Sequence, residues 1–289
     1  MPADLALQPA RANLRAALLV PLAFSAFSGT DALVKRLTES LPVPQVTAMI
    51  TLVALLLVIL AAAATGRARA LWPRHPGLAV LRAVLLAGDT LLIYYAFSAL
   101  PLADAYVLAF LTPVLVALLA ALFLHERLSR LAWLGVIAGF AGVIVALKPG
   151  ETALTFGHAA ALGSALLFAL SLVLLRRTKA GESDLALVAS VLVVLTLLSL
   201  ATALAAGAFM AVTMGLAGLA SLAGLLLFTG HMLLVRAFRL GDASVVAPFQ
   251  YSQILWGCLY GALFFGAPVE SHTLAGAAII ILSGWLVLK

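Results

Sequence analysis

Apolar runs of about 20 residues, separated by short polar punctuation, follow one another along the chain. They fall near 14–34, 43–64, 77–99, 102–124, 131–147, 154–175, 185–206, 213–235, 243–265 and 271–288. A bilayer core of about 30 Å takes about 20 apolar residues to cross as a helix. Backbone groups in hydrocarbon must bond within their own segment, so each run predicts a transmembrane helix. Strands of a barrel would leave shorter segments of alternating polarity. The fifth run is the shortest. Residues 1–13, with Pro2, Pro9 and Arg11, read as a loose tail. The connections leave no room for a nucleotide-binding domain.

Composition sharpens this picture. Of 289 residues, 65% are apolar and 10% are charged, against about 45–50% and 25% in ordinary soluble domains. A soluble fold of this length could not hide so much apolar surface. The single cysteine, Cys258, lies in an apolar run and permits no intrachain disulfide. A small apolar core residue is the simple account of it.

The net charge of +6 does not point to nucleic acid, because the basic residues sit at the ends of the runs. With a cytoplasmic N-terminus, only Lys35, Arg36 and Lys148 fall outside; all other Lys and Arg residues fall inside. This positive-inside bias predicts ten spans with both termini cytoplasmic. Asp31 and Glu39 offset Lys35 and Arg36 at helical spacing, as local ion pairs would.

The chain also repeats itself at an interval of roughly 141 residues. Phe27–Thr38 reads FSGTDALVKRLT and Phe168–Lys179 reads FALSLVLLRRTK. Ala96-Phe97 matches Ala237-Phe238, and Leu134-Gly135 matches Ala275-Gly276; Asp104-Ala105 meets Asp242-Ala243 after a slip of about three residues. Five spans per copy is an odd number, so the second copy must insert upside down. The expected units are a first repeat over 14–148 and an inverted second repeat over 149–289. Inverted repeats are an architecture of secondary transporters, which bind substrate near the midplane between the halves.

The sequence Ala99-Leu100-Pro101-Leu102-Ala103-Asp104-Ala105, then Thr112-Pro113, Leu124-His125-Glu126-Arg127-Leu128 and the Gly135–Val145 run GVIAGFAGVIV resemble a known repeat. It is that of EamA-type members of the drug/metabolite transporter superfamily. The copy from Ala237 to Leu288 is degenerate, with Gly266-Ala267-Pro268 in place of the Gly-Glu-Arg-like turn. Within that superfamily the chain looks most like the YddG-type exporters of aromatic amino acids. The resemblance implies an all-α integral membrane fold of ten helices in two inverted repeats. It also implies export of small organic metabolites by alternating access, from the inner (plasma) membrane of a bacterial-type cell.

A carrier needs polar groups at depths where lipid penalises them. Asp89 stands mid-way along the third run and His231 deep in the eighth, opposite Thr90 in the repeat. Either could touch substrate or carry a proton, since histidine titrates near neutral pH; either could equally be a hydrogen-bonded structural group. The ninth run holds Gln250, Tyr251, Gln253, Trp256 and Tyr260, of which Gln253, Trp256 and Tyr260 share one face. Amides can fix a polar group and aromatic rings can stack on a planar one, while interhelical bonds and interface anchoring are the plain alternatives. Tyr94, Tyr95 and Tyr106 flank two span ends, as a substrate gate or as an aromatic belt. Gln45, Thr47, Thr51 and His158 are further candidates for a gate or cavity. Pro113 and Pro248 interrupt the fourth span of each repeat and mark bends or hinges. Gly135-x-x-x-Gly139 and Gly257-x-x-x-Gly261 allow close helix contact.

No phosphate-cradling G-x-x-x-x-G-K-[ST] motif is present, and the histidines and cysteine form no metal-ligand cluster. The expectation is therefore a carrier, with no catalytic residue, cofactor or metal and with no nucleic-acid partner. Its partners are a small-molecule substrate and the lipid bilayer, and a monomer suffices. Amino acids with aromatic or bulky apolar side chains are the first substrate class. Nucleosides, thiol compounds and small cations are alternatives, and an enzyme or a channel would need polar clusters or filter-like loops that the sequence lacks.

Overall fold

The computed structural model describes residues 3–124, 130–147, 154–177, 183–207, 209–240, 252–266 and 270–287. Among them the chain forms helices α1 (Ala3–Thr38), α2 (Val43–Ala64), α3 (Pro76–Ala99), α4 (Leu102–Ala109), α5 (Thr112–Leu124) and α6 (Arg130–Leu147), then α7 (Phe156–Arg177), α8 (Asp184–Ala205), α9 (Met214–Leu240), α10 (Ser252–Phe265) and α11 (Ser271–Val287). A short 3-10 turn over Ala68–Leu71 is the other helical piece, and the described residues hold no strand. Five stretches are long and apolar enough to cross a membrane: Leu18–Thr38, Val43–Ala64, Pro76–Ala99, Asp184–Ala205 and Met214–Leu234.

The outward faces carry large apolar side chains. Leu22 and Leu60, Ile137, Leu197 and Leu263 are all more than half exposed. Soluble monomers rarely show such contiguous apolar surface, whereas lipid leaves it without cost.

Inside, the helices pair off: α1 packs on α9, α3 on α7, α2 on α8 and α6 on α11. α3 also meets α8, α2 meets α9, α1 meets α10, and α7 meets both α4 and α5. Buried alanines such as Ala54, Ala83, Ala87, Ala161 and Ala223 let backbones approach closely, as small residues do at helix interfaces in membranes. Two glycines finish α2 and α8 in the same way: Gly66 at φ 66° and Gly207 at φ 58° turn the chain through the left-handed region, where a side chain is strained.

Two expectations change in detail. The first helix runs back to Ala3, through the stretch read as a loose tail. The run 102–124 is divided at Phe110–Leu111 into α4 and α5. Pro113 has no N–H to give the carbonyl four residues back, that of Ala109. The Thr112 hydroxyl takes that carbonyl at 2.7 Å, and α5 starts afresh from Thr112. Pro248, Gln250 and Tyr251 lie outside the described residues.

Candidate functional site

α1, α3, α4, α5, α7, α8, α9 and α10 line a cavity of about 190 Å³. Its polar groups come from seven helices, Thr112 of α5 among them. α1 contributes Asp31; α3 contributes Asp89, Thr90 and Tyr94; α4 contributes Tyr106, α7 Ser164, α9 His231 and α10 Gln253. Aromatic rings form much of the remaining wall: Phe24, Phe27, Phe97, Phe110 and Phe168 stand with the two tyrosines. Leu86, Ile93, Val191, Leu195, Leu227 and Leu234 supply aliphatic surface.

The two carboxylates differ in their surroundings. Asp31 is 7% exposed. The Tyr106 hydroxyl donates to its Oδ2 at 2.5 Å, and Gln253 Nε2 donates to the same oxygen at 3.4 Å. One acid thus joins α1, α4 and α10. Asp89 receives a bond at Oδ1 from the Ser164 hydroxyl at 2.5 Å, which joins α3 to α7. Among the described residues no second hydrogen bond reaches Asp89. The two acids lie within electrostatic reach of each other.

His231 sits edge-on to Phe27, with ring centres 5.1 Å apart. Tyr94 is 3% exposed and Tyr106 1%; Phe97 packs against both, edge-on to Tyr106 at 5.3 Å. Gly257 lets α10 lie directly over the Tyr106 ring, where any Cβ would collide with it.

Asp89, Tyr94, His231 and Gln253, picked out as candidates from the sequence, thus share one wall. Trp256 and Tyr260 instead lie beside it, stacked on each other at 6.1 Å. Trp256 packs on the cluster of Val20, Phe24 and Ala237, and the Tyr260 hydroxyl meets that of Ser25 at 3.2 Å. Tyr95 is 39% exposed and packs edge-on to Phe156, away from the cavity. The difference between Tyr94 and Tyr95 follows from the helix, which turns adjacent residues by about 100°.

The local pairing of Asp31 with Lys35 is not formed. Lys35 donates instead to the carbonyls of Phe97 and Leu100, each at 2.8 Å, and lies over the Phe265 ring. These carbonyls end α3, so the ammonium both satisfies and neutralises a helix C-terminus. The companion pair, Arg36 with Glu39, is present.

Gln45, Thr47 and Thr51 are buried ties rather than cavity wall. Gln45 holds the Met210 backbone at both N and O, and Thr196 donates to Thr51. His158 bonds Thr155 at the start of α7. Tyr106, a gate or belt tyrosine by its sequence position, stands in the wall, while Asp31, Ser164 and the ring of phenylalanines were not selected from the sequence as cavity groups. The one available signal was the isolation of Asp31 and Ser164 in otherwise apolar runs. Among the described residues, no group of three or more His, Cys, Asp or Glu could hold a metal.

Residues 14–148 match the EamA-like transporter family. A riboflavin transporter from Rhizobium johnstonii is 30% identical, across 99% of this chain and 94% of its own. The pseudopaline exporter of Pseudomonas aeruginosa is 28% identical, across 92% and 93%. An S-adenosylmethionine uptake transporter from Rickettsia bellii is 26% identical, across 72% and 70%. A crystal structure with 20% identity superposes with a TM-score of 0.66, covering 93% of this chain and 95% of that one, which supports the helical fold. The chain belongs to the EamA-like transporter family of the drug/metabolite transporter superfamily and is a multi-pass membrane transporter.

Proposed function

We propose that the protein is a secondary carrier that exports small organic metabolites by alternating access through the central cavity. It would do so as ten spans in two inverted repeats, 14–148 and 149–289, with both termini on the cytoplasmic side of the inner membrane. The observation that carries this is a periodicity in the cavity wall. Phe27 and Phe168, Leu86 and Leu227, Thr90 and His231, Ile93 and Leu234, and Thr112 and Gln253 all line it, each pair 141 positions apart. A cavity on a pseudo-twofold axis draws equivalent positions from both halves.

The helix pairing supports the same symmetry. Exchanging α1 with α7, α2 with α8, α3 with α9, α4 and α5 with α10, and α6 with α11 turns the α1–α9 pair into α7–α3. It turns α2–α9 into α8–α3, and leaves α2–α8 and α6–α11 as they were. The turning glycines Gly66 and Gly207 obey the same interval.

The relatives are named for riboflavin, pseudopaline and S-adenosylmethionine, so family membership leaves the substrate open. Amino acids with aromatic or bulky apolar side chains, or metabolites related to them, fit the wall of rings and aliphatic groups. At about 190 Å³ the cavity is smaller than the roughly 300–1,000 Å³ of drug-sized sites. Purified protein in proteoliposomes, offered labelled tryptophan, phenylalanine, leucine and glutamate, tests the proposal. Expected is saturable uptake of the first three, accelerated by unlabelled substrate inside. Flux that neither saturates nor responds to trans substrate would point to a channel and sink the carrier.

A further inference from the structure

We propose that the cavity seats the cationic amine of its substrate on Asp89, and that it favours amines over the corresponding amino acids. This rests on the carrier function proposed above and, of the amino acids and related metabolites named there, places the related amines ahead of the amino acids themselves.

Three features lead to it. First, Asp89 stands in the cavity wall with Ser164 as its hydrogen-bond partner among the described residues. A buried carboxylate with spare acceptor capacity calls for a donor or a cation. Second, Phe27, Tyr94, Phe97, Phe110 and Phe168 stand in the same wall, and faces of such rings attract an ammonium. Third, the wall has no lysine or arginine to receive a substrate carboxylate. Lys35 is committed to the Phe97 and Leu100 carbonyls. Arg82 lies on α3 two turns before Asp89, outside the wall but within electrostatic reach of His231. His231 is the sole wall residue that can take a positive charge, and Phe27 holds its ring edge-on. Asp31 adds a second acid within electrostatic reach. A carboxylate brought against Asp89 and Asp31 would meet like charge, with no lysine or arginine in the wall itself to pair with it, at a depth where unpaired charge is costly.

Tryptamine, tryptophan and indole-3-propionate share one ring system and differ in charge, so calorimetric titration of the purified protein with each is the direct test. Tryptamine is expected to bind at least ten-fold more tightly than tryptophan, with no binding of indole-3-propionate. Asp89→Asn should weaken tryptamine by ten-fold or more. Tyr95→Phe, on the outward face, should change affinity by less than two-fold. If tryptophan or indole-3-propionate binds as well as tryptamine, the proposal is overturned. It is overturned also if folded protein binds none of the three, or if the Asp89→Asn protein binds tryptamine unchanged. Should Asp89→Asn fail to fold, the ranking of the three ligands on the unaltered protein decides. Tryptamine counterflow in proteoliposomes separates the two levels. Asp89-dependent binding without counterflow would keep the amine site and remove the carrier; saturable tryptophan flux without tryptamine flux would do the reverse.

Discussion

Asp31 on α1 and Asp89 on α3 face one cavity, but among the described residues Tyr106 and Gln253 close on the first while a single serine hydroxyl reaches the second. Depth alone therefore does not mark a functional acid in a membrane bundle. A carboxyl gripped on one oxygen by donors from two other helices acts as a tie. One with a single small hydroxyl on it and its remaining acceptor capacity turned to the cavity is open to a ligand.

The contrast yields four expectations. The largest effect should come from Asp89→Asn, which keeps shape and removes charge. A charge-assisted hydrogen bond contributes about 1.5–3 kcal/mol, so counterflow of the transported amine should fall roughly ten- to a hundred-fold. The thermal unfolding midpoint in detergent should barely move. Asp31→Asn should show the opposite profile: a loss of about 1–3 kcal/mol of stability from disturbed buried bonds, read as a lower unfolding midpoint. Equal loss of flux in both variants, at equal stability, would erase the distinction between tie and site. Combining Asp31→Asn with Tyr106→Phe sharpens it further. The two share one bond, so the double variant should be less destabilised than the sum, by about 0.5–3 kcal/mol. The smallest effect belongs to Tyr95→Phe, on the outward face, where stability should stay within about 0.5 kcal/mol and flux within two-fold of the unaltered protein.

Much of the architecture was legible in the chain because lipid imposes a strong rule on composition and run length. Asp89 and His231 could be flagged for the same reason, as polar groups far from any run end. Asp31 was hidden by Lys35, one turn away, which offered a plausible local partner. Its actual partners lie 75 and 222 positions along the chain, and spacing along one helix cannot disclose them. Tyr106 was obscured by its place near a span end, where belt tyrosines also sit. The division of α4 from α5 left a mark in Thr112-Pro113, whose hydroxyl and missing N–H act together on one carbonyl. Rotational phase was the harder problem. Helices that are apolar all round show little periodicity, so nothing in the sequence distinguished Tyr94, turned inward, from Tyr95, turned away.

Gln45 grips the Met210 backbone from both sides of its amide, across 165 positions. During synthesis at about 5–20 residues per second, its partner would arrive roughly ten to thirty seconds after Gln45 itself. Throughout that interval a side-chain amide destined for burial has no permanent acceptor or donor. The nascent first half must consequently hold it near water, or lend it to lipid headgroups or an assisting factor, until the chain after α8 emerges. Assembly of α2 is thus timed by the completion of a segment in the other half.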